Sequence, residues 1–144
     1  MKWVFDDGGR AEAGFKGKAG DCCCRAFAIA TGRPYREVYD DINALAKSER
    51  TGKRKKGVSN ARTGVYKATA QKLAQKYGME WVPVMKVGTG CTMHMRKREL
   101  PMGRIVVSLS RHYAAVKDGV LHDTYDSTRD GSRCVYGYWI VKGA

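Results

Sequence analysis

The sequence predicts an α+β domain in which N-terminal helices pack on a C-terminal antiparallel sheet. Two observations point there. Between residues 22 and 77, apolar side chains recur at helical spacing, and glycine and proline punctuate the segments. From Arg104 onward the chain turns to short β-branched and aromatic runs separated by turn residues. Helices first and strands afterwards, without alternation, is the order of an α+β domain and not of βαβ units. At 144 residues the chain is near the commonest domain size, so one domain over 1–144 is expected.

Residues 1–20 are rich in glycine and charge and read as a loop-rich approach to the first helix. That helix is expected to start at or near Cys22, with Asp21 as N-cap, and to stop before Gly32, a C′ signal. Pro34 at N1 starts a second helix to about Lys47, with Val38, Ile42, Leu45 and Ala46 as its apolar stripe. Thr51 to Gly57 is a basic run without apolar residues, expected to be an exposed loop. A third helix follows, with Thr63 as cap, Val65, Thr69, Leu73 and Tyr77 on one face, and Gly78 at its end. Three helices thus precede any convincing strand. Glu80 to Met85 reads as extended, and its Pro83 argues for a sheet edge. Thr92 to Leu100 is expected to form a short helix, and His94 within it to be structural or solvated. The remaining strands are Ile105–Leu109, His112–Lys117, Val120–Tyr125 and Cys134–Val141.

Three of the five cysteines are adjacent, at Cys22, Cys23 and Cys24. An odd count with a triplet makes a poor disulfide framework and suggests a reducing compartment. No C-x-x-C or H-x-x-x-H spacing is present, so no metal site or other cofactor is expected. There is no apolar run of membrane-spanning length, and Asp6 and Asp7 follow the first apolar residues at once. These features suggest no membrane association and a cytoplasmic location. The net charge of +13, from 27 basic and 14 acidic residues, makes an acidic partner such as nucleic acid plausible.

A thiol at a helix start is favoured as thiolate by the unpaired N–H groups and the macrodipole. Successive helix positions are about 100° apart, so at most one of the three thiols can face a cleft, and periodicity does not choose which. A base is needed, and His112, which begins a strand after the polar Ser110-Arg111 pair, is the best placed. A carboxylate on its other nitrogen would fix the tautomer. Hairpin geometry selects Asp123. Asp118-Gly119 is a two-residue turn signal, so Lys117 should pair with Val120 and Val116 with Leu121. Alternation then places His112, Ala114, Val116, Leu121 and Asp123 on one face, which would pack against the first helix, with His122 and Asp126 directed elsewhere.

The stretches Asp21-Cys22 with Arg25-Ala26, Ala28 to Gly32, Ser110 to Val116 and Asp118 to Thr124 resemble papain-like cysteine proteinases, especially small uncharacterised ones from bacteriophages. The resemblance covers about Gly20 to Tyr138. It implies a papain-like fold, a Cys-His-Asp triad of Cys22, His112 and Asp123, and a thiol hydrolase acting on a peptide, isopeptide or other amide bond in a protein or peptide substrate. It also singles out Cys22 from the triplet, and it implies host cytoplasm if the chain is phage-encoded. Such enzymes usually place a glutamine before the nucleophile as an oxyanion donor. No glutamine precedes Cys22, and Lys16 and Lys18 occupy that region, which leaves Lys18 or a backbone N–H as the donor. The alternative is a weak or inactive relative that binds nucleic acid through Lys53, Arg54, Lys55 and Lys56 with Arg96, Lys97 and Arg98.

Overall fold

A computed structural model describes residues 1–51 and 57–142. The elements are β1 (Lys2–Phe5), α1 (Cys22–Thr31), α2 (Tyr35–Ala46), α3 (Lys67–Lys76), β2 (Met79–Pro83), β3 (Arg104–Leu109), β4 (His112–Lys117), β5 (Val120–Asp123) and β6 (Gly137–Val141). The architecture is α+β. The described strands form one six-stranded sheet in the order β1-β5-β4-β3-β6-β2.

Local signals explain most boundaries. Gly32 adopts φ 73° and returns its N–H to Ala28 O, closing α1 with a left-handed cap. Pro34 stands one position before α2, at its N-cap, with an extended backbone (φ −58°, ψ 141°). β2 lies at the sheet edge, as its proline requires. The β4–β5 turn places Asp118 at φ 49° and Gly119 at φ 77°, two consecutive positive values that match the right-handed strand twist. The register is Lys117↔Val120, Val116↔Leu121 and Ala115↔His122.

Four expectations are corrected. Residues 2–5 are not loop but a strand, parallel to β5 with Lys2 opposite Val120 and Phe5 opposite Asp123, so a strand precedes the helices and the sheet is mixed. β1 is short, mostly exposed and held by a distant partner, and short-range patterning carries no trace of such pairing. The third helix starts at Lys67, well after Thr63, because Asn60 and Gly64 pair in a tight bridge. Thr92 to Leu100 is not helical: His94 bridges Cys134, Met95 N–H donates to Arg133 O and Val135 N–H donates to Met93 O, both at 2.9 Å. Cys91 and Cys134 close this pairing with a disulfide, so the chain carries one disulfide and a free triplet among its cysteines.

The fourth correction concerns the sheet faces. α1, α2 and α3 bury Phe27, Val38, Ile42 and Leu73 against Val106, Ala115 and Trp139. Ala114, Val116 and Leu121 lie in the other apolar layer, with Met95, Leu100, Ile105, Val107 and Val135. Alternation groups residues by face correctly, but it does not say which layer covers that face. Among the described residues, no helix is long and apolar enough to cross a membrane.

Trp139 is the hinge of the helical side. Fully buried, it packs on Phe27 at 5.4 Å, Trp81 at 4.6 Å and Tyr113 at 5.9 Å between ring centroids. Trp139→Ala should lower unfolding free energy by ~3–5 kcal/mol. Phe5→Ala, at a side chain 69 % exposed, should change it by less than ~0.5 kcal/mol. Urea unfolding followed by circular dichroism compares the two, and similar losses would contradict the packing described.

Candidate active site

α1 opens at Cys22 because the backbone of Asp21 (φ −100°, ψ 24°) has not yet entered the helix. Asp21 occupies the N-cap position without capping, which corrects the expected role: its side chain makes no bond to the helix end. Instead the buried carboxylate accepts a hydrogen bond from the Tyr35 hydroxyl at 2.6 Å, and it pairs with Arg10 Nε at 3.3 Å and with Arg25 Nη1. Charge-assisted bonds to two guanidinium groups outweigh a single bond to a backbone N–H. Those first helix N–H groups are therefore not taken by Asp21.

β4 begins at His112 and β5 ends at Asp123, so antiparallel pairing carries both to the same end of the sheet. There His112 Nε2 lies 2.7 Å from Asp123 Oδ2. With Nε2 facing the carboxylate, Nδ1 is the nitrogen left for a thiol, and Cys22 borders the same cleft as this imidazole, whose interaction with the sulfur lowers the thiol pKa. The Asp123 carboxylate is further held by the Ser127 hydroxyl and the Thr124 N–H, each at 2.8 Å, while Arg25 Nη2 lies 3.5 Å from Oδ1. The Tyr125 ring flanks the imidazole at 5.4 Å between centroids.

The electrostatics follow from these contacts. Burial opposes ionisation of Cys22, but the hydrogen bond and charge of His112, the Tyr113 backbone N–H and the charge of Arg25 outweigh it, and the thiol pKa falls. Burial likewise opposes a charged His112. Its bonds to Asp123 and Cys22 prevail, and its pKa rises. Asp123 is pulled down, since His112, Ser127 and the Thr124 N–H outweigh its own desolvation. The other two thiols go the opposite way. Burial drives Cys23 well up, and burial pushes Cys24 up to about 12 even with its contact to Tyr35. Of the three thiols, only Cys22 is shifted toward the thiolate, and its neighbour His112 is shifted toward the imidazolium.

A cleft of about 450 Å³ opens beside the Cys22–His112 pair, bordered by Gly20, Thr63, Val65, Leu109, Arg111 and Tyr136. Its wall depends on close backbone contact: Gly20 N–H donates to Arg62 O at 2.7 Å, and a β-carbon at Gly20 would stand 3.1 Å from Thr63 O. What the arrangement can do chemically is present a nucleophilic sulfur and a proton carrier to the cleft, with an orienting carboxylate buried behind the imidazole.

Other singled-out residues lie elsewhere. Lys18 is exposed and borders a separate concavity with Arg62 and Thr63. Arg62 Nη2 holds the carbonyls of Lys16 and Lys18 at 2.8 and 3.2 Å and fixes that loop outside the cleft. His122 pairs with Asp6 at 3.1 Å, and Asp126 accepts from Thr128. Lys53, Arg54, Lys55 and Lys56 lie outside the described residues. Lys97 and Arg98 are exposed, whereas Arg96 binds Glu99 and Gly131 O.

Two contributors were not legible as such. Arg25 bridges Asp21 and Asp123, and the Asp21-to-Arg25 spacing of four on a helix is the signal that marks half of that bridge. Arg133, 7 % exposed, donates to Ser110 O at 2.6 Å and to Ser127 O at 3.4 Å. It ties together the segments leading to His112 and supporting Asp123, and nothing in its local sequence announces this. No family model, curated protein or solved structure matches this chain.

Alkylation by iodoacetamide as a function of pH reads out the thiolate. Cys22 should react with a midpoint below that of an ordinary thiol, and Cys23 and Cys24 should stay protected in the folded protein. Since His112 lowers the Cys22 pKa, His112→Ala should move the midpoint upward. A midpoint unchanged in that variant would mean that the imidazole does not stabilise the thiolate.

Proposed function

We propose that the protein is a papain-like thiol hydrolase that cleaves an amide bond in a peptide or protein through an acyl-enzyme on Cys22. The observation that carries this reading is the chain of contacts from Cys22 through His112 to Asp123 at the edge of an open cleft. A buried structural cysteine would need neither partner.

In the first half-reaction the Cys22 thiolate attacks the substrate carbonyl carbon, and a C–S bond forms while the carbonyl oxygen takes up negative charge. The backbone N–H at the start of α1 is the donor suited to that oxyanion, aided by the positive end of the helix. As the tetrahedral species collapses, the C–N bond breaks and the His112 imidazolium gives its proton to the departing amine. The now neutral His112 next takes a proton from water, whose oxygen attacks the thioester. The C–S bond breaks, the acid leaves, and the thiolate–imidazolium pair is restored. Asp123 stays ionised throughout; it orients the ring and stabilises its charged form.

The cations Lys67 and Arg111 stand on the border of the cleft and are both exposed. They would favour acidic groups on the substrate near the scissile bond.

Labelling with an amide-mimicking electrophile, followed by peptide mapping, tests the assignment, and modification is expected at Cys22 only. Hydrolysis of a fluorogenic peptide library should vanish in Cys22→Ala. Asp123→Ala should lower kcat/KM by ~10²–10⁴, the range for loss of an oriented acid–base partner. Asp126→Ala and His122→Ala should do far less. Because Cys22 must lose and His112 must keep a proton, the rate should rise with pH as the pair forms and fall again as His112 deprotonates. An Asp126→Ala loss equal to that of Asp123→Ala would remove Asp123 from the mechanism.

A further inference from the structure

Away from the cleft, Cys91, His94 and Cys134 bring two sulfurs and an imidazole nitrogen together, all within 4.8 Å of one another. The spacing Cys91-x-x-His94 is short enough for both side chains to reach one point, and a search for C-x-x-C passes over it. Cys134 arrives from the facing segment, where it pairs with His94 in an isolated bridge.

The histidine is oriented as a ligand. Its Nδ1 lies 3.1 Å from Glu99 Oε1, and the same oxygen accepts the His94 backbone N–H at 3.0 Å. A carboxylate only accepts, so Nδ1 carries a proton, and in the neutral ring Nε2 presents its lone pair, 3.5 Å from Cys91 Sγ. Arg96 holds the second oxygen of Glu99 at 3.2 Å. A carboxylate behind a histidine whose far nitrogen faces thiols is the outer support that metal-binding imidazoles have. In a tetrahedral site with the usual zinc–sulfur and zinc–nitrogen bond lengths, the S···N edge is about 3.5 Å. Cys91 and His94 already stand at that separation.

We propose that Cys91, His94 and Cys134, supported by Glu99, form a binding site for zinc or a similar divalent cation, loaded when the Cys91–Cys134 disulfide is reduced. Two thiolates and an imidazole select a borderline-soft metal over magnesium or calcium. Cys91 is exposed, which gives the ion an entry path and leaves the fourth position to water. Loading proceeds in two balanced steps. A dithiol reductant gives two electrons and two protons, becoming a disulfide while the Cys91–Cys134 bond breaks into two thiols. The cation then displaces both thiol protons into solvent. In either state the same two segments stay cross-linked, by a covalent bond or through the metal. The cross-link is next to Arg133, which secures Ser110 and Ser127 beside the candidate triad. The site itself does not depend on the proposed hydrolysis.

Cobalt(II) alone is the probe. The full chain is reduced with excess dithiol, freed of reductant under nitrogen and titrated. One equivalent should bind with thiolate-to-cobalt charge-transfer absorption and tetrahedral d–d bands, and zinc(II) should displace it. The oxidised protein should show no such bands. Cys91→Ser and Cys134→Ser should each abolish the charge-transfer signal expected for two thiolates, while Cys22→Ser should leave it intact. Glu99→Gln should keep the spectrum but weaken binding ~10-fold or more. Absence of the bands in reduced wild type, a disulfide that the dithiol does not open, or bands that survive in both Cys91→Ser and Cys134→Ser would each overturn the proposal.

Discussion

One buried carboxylate organises the end of the molecule that carries the candidate site. Asp123 is 3 % exposed, and as an ion it would be costly there without compensation. It receives that compensation from four elements: the imidazole of β4, the hydroxyl of Ser127, the N–H of Thr124 and the guanidinium of Arg25 on α1. Its own carbonyl accepts from the Trp3 indole and the Asp6 N–H, each at 3.0 Å, so β1 is tied to the same residue. Sheet, helix and N-terminal strand therefore meet around one residue. The proximity of Cys22 to His112 is a consequence, because Arg25 lies one turn along the helix that Cys22 begins.

Arg25 couples this centre to a second buried carboxylate. Asp21 and Asp123 are bridged by its two terminal nitrogens, and Asp21 in turn holds Arg10 and Tyr35. The network spans the N-terminal loop, α1, α2 and the end of the sheet. Breaking a buried pair by removing one partner leaves the other charge uncompensated, which costs more than the pair contributes. The two carboxylates and the guanidinium thus enforce one another's position. Ordinary apolar packing beneath them, from Phe27 and Trp139, sets the layer spacing on which that geometry depends.

How far the sequence disclosed this depends on the range of the interaction. The β4–β5 hairpin was legible because Asp118-Gly119 demands positive φ at both positions, and the register from that turn places Asp123 within reach of His112. Gly32 and Pro34 marked the α1–α2 boundary for equally local reasons. By contrast, β1 exists through parallel pairing with β5 across more than a hundred residues, and four exposed or half-exposed residues carry no pattern that requires it. The 92–100 segment misled in a related way: its charged and methionine-rich composition suits a helix, but pairing with Cys134 overrides propensity. Asp21 failed as a cap for a third reason, since two guanidinium groups compete for its oxygens.

The two arginines beside the site, Arg25 partly buried and Arg133 buried, have different roles, and the difference explains why only one leaves a trace in the sequence. Arg25 faces carboxylates, and its charge contributes to lowering the Cys22 pKa; its contribution is electrostatic and follows from an i,i+4 spacing that a helix makes local. Among the described residues Arg133 donates to the carbonyls of Ser110 and Ser127, and its role is to hold two turns at a fixed distance. In both, Nε is buried without a partner. A flexible apolar side chain would avoid that cost, but it could not bind two targets in fixed directions as a planar guanidinium does. The unsatisfied nitrogens are therefore the cost of orientation, accepted on both sides of a candidate triad whose proposed chemistry would not tolerate a misplacement of about 1 Å.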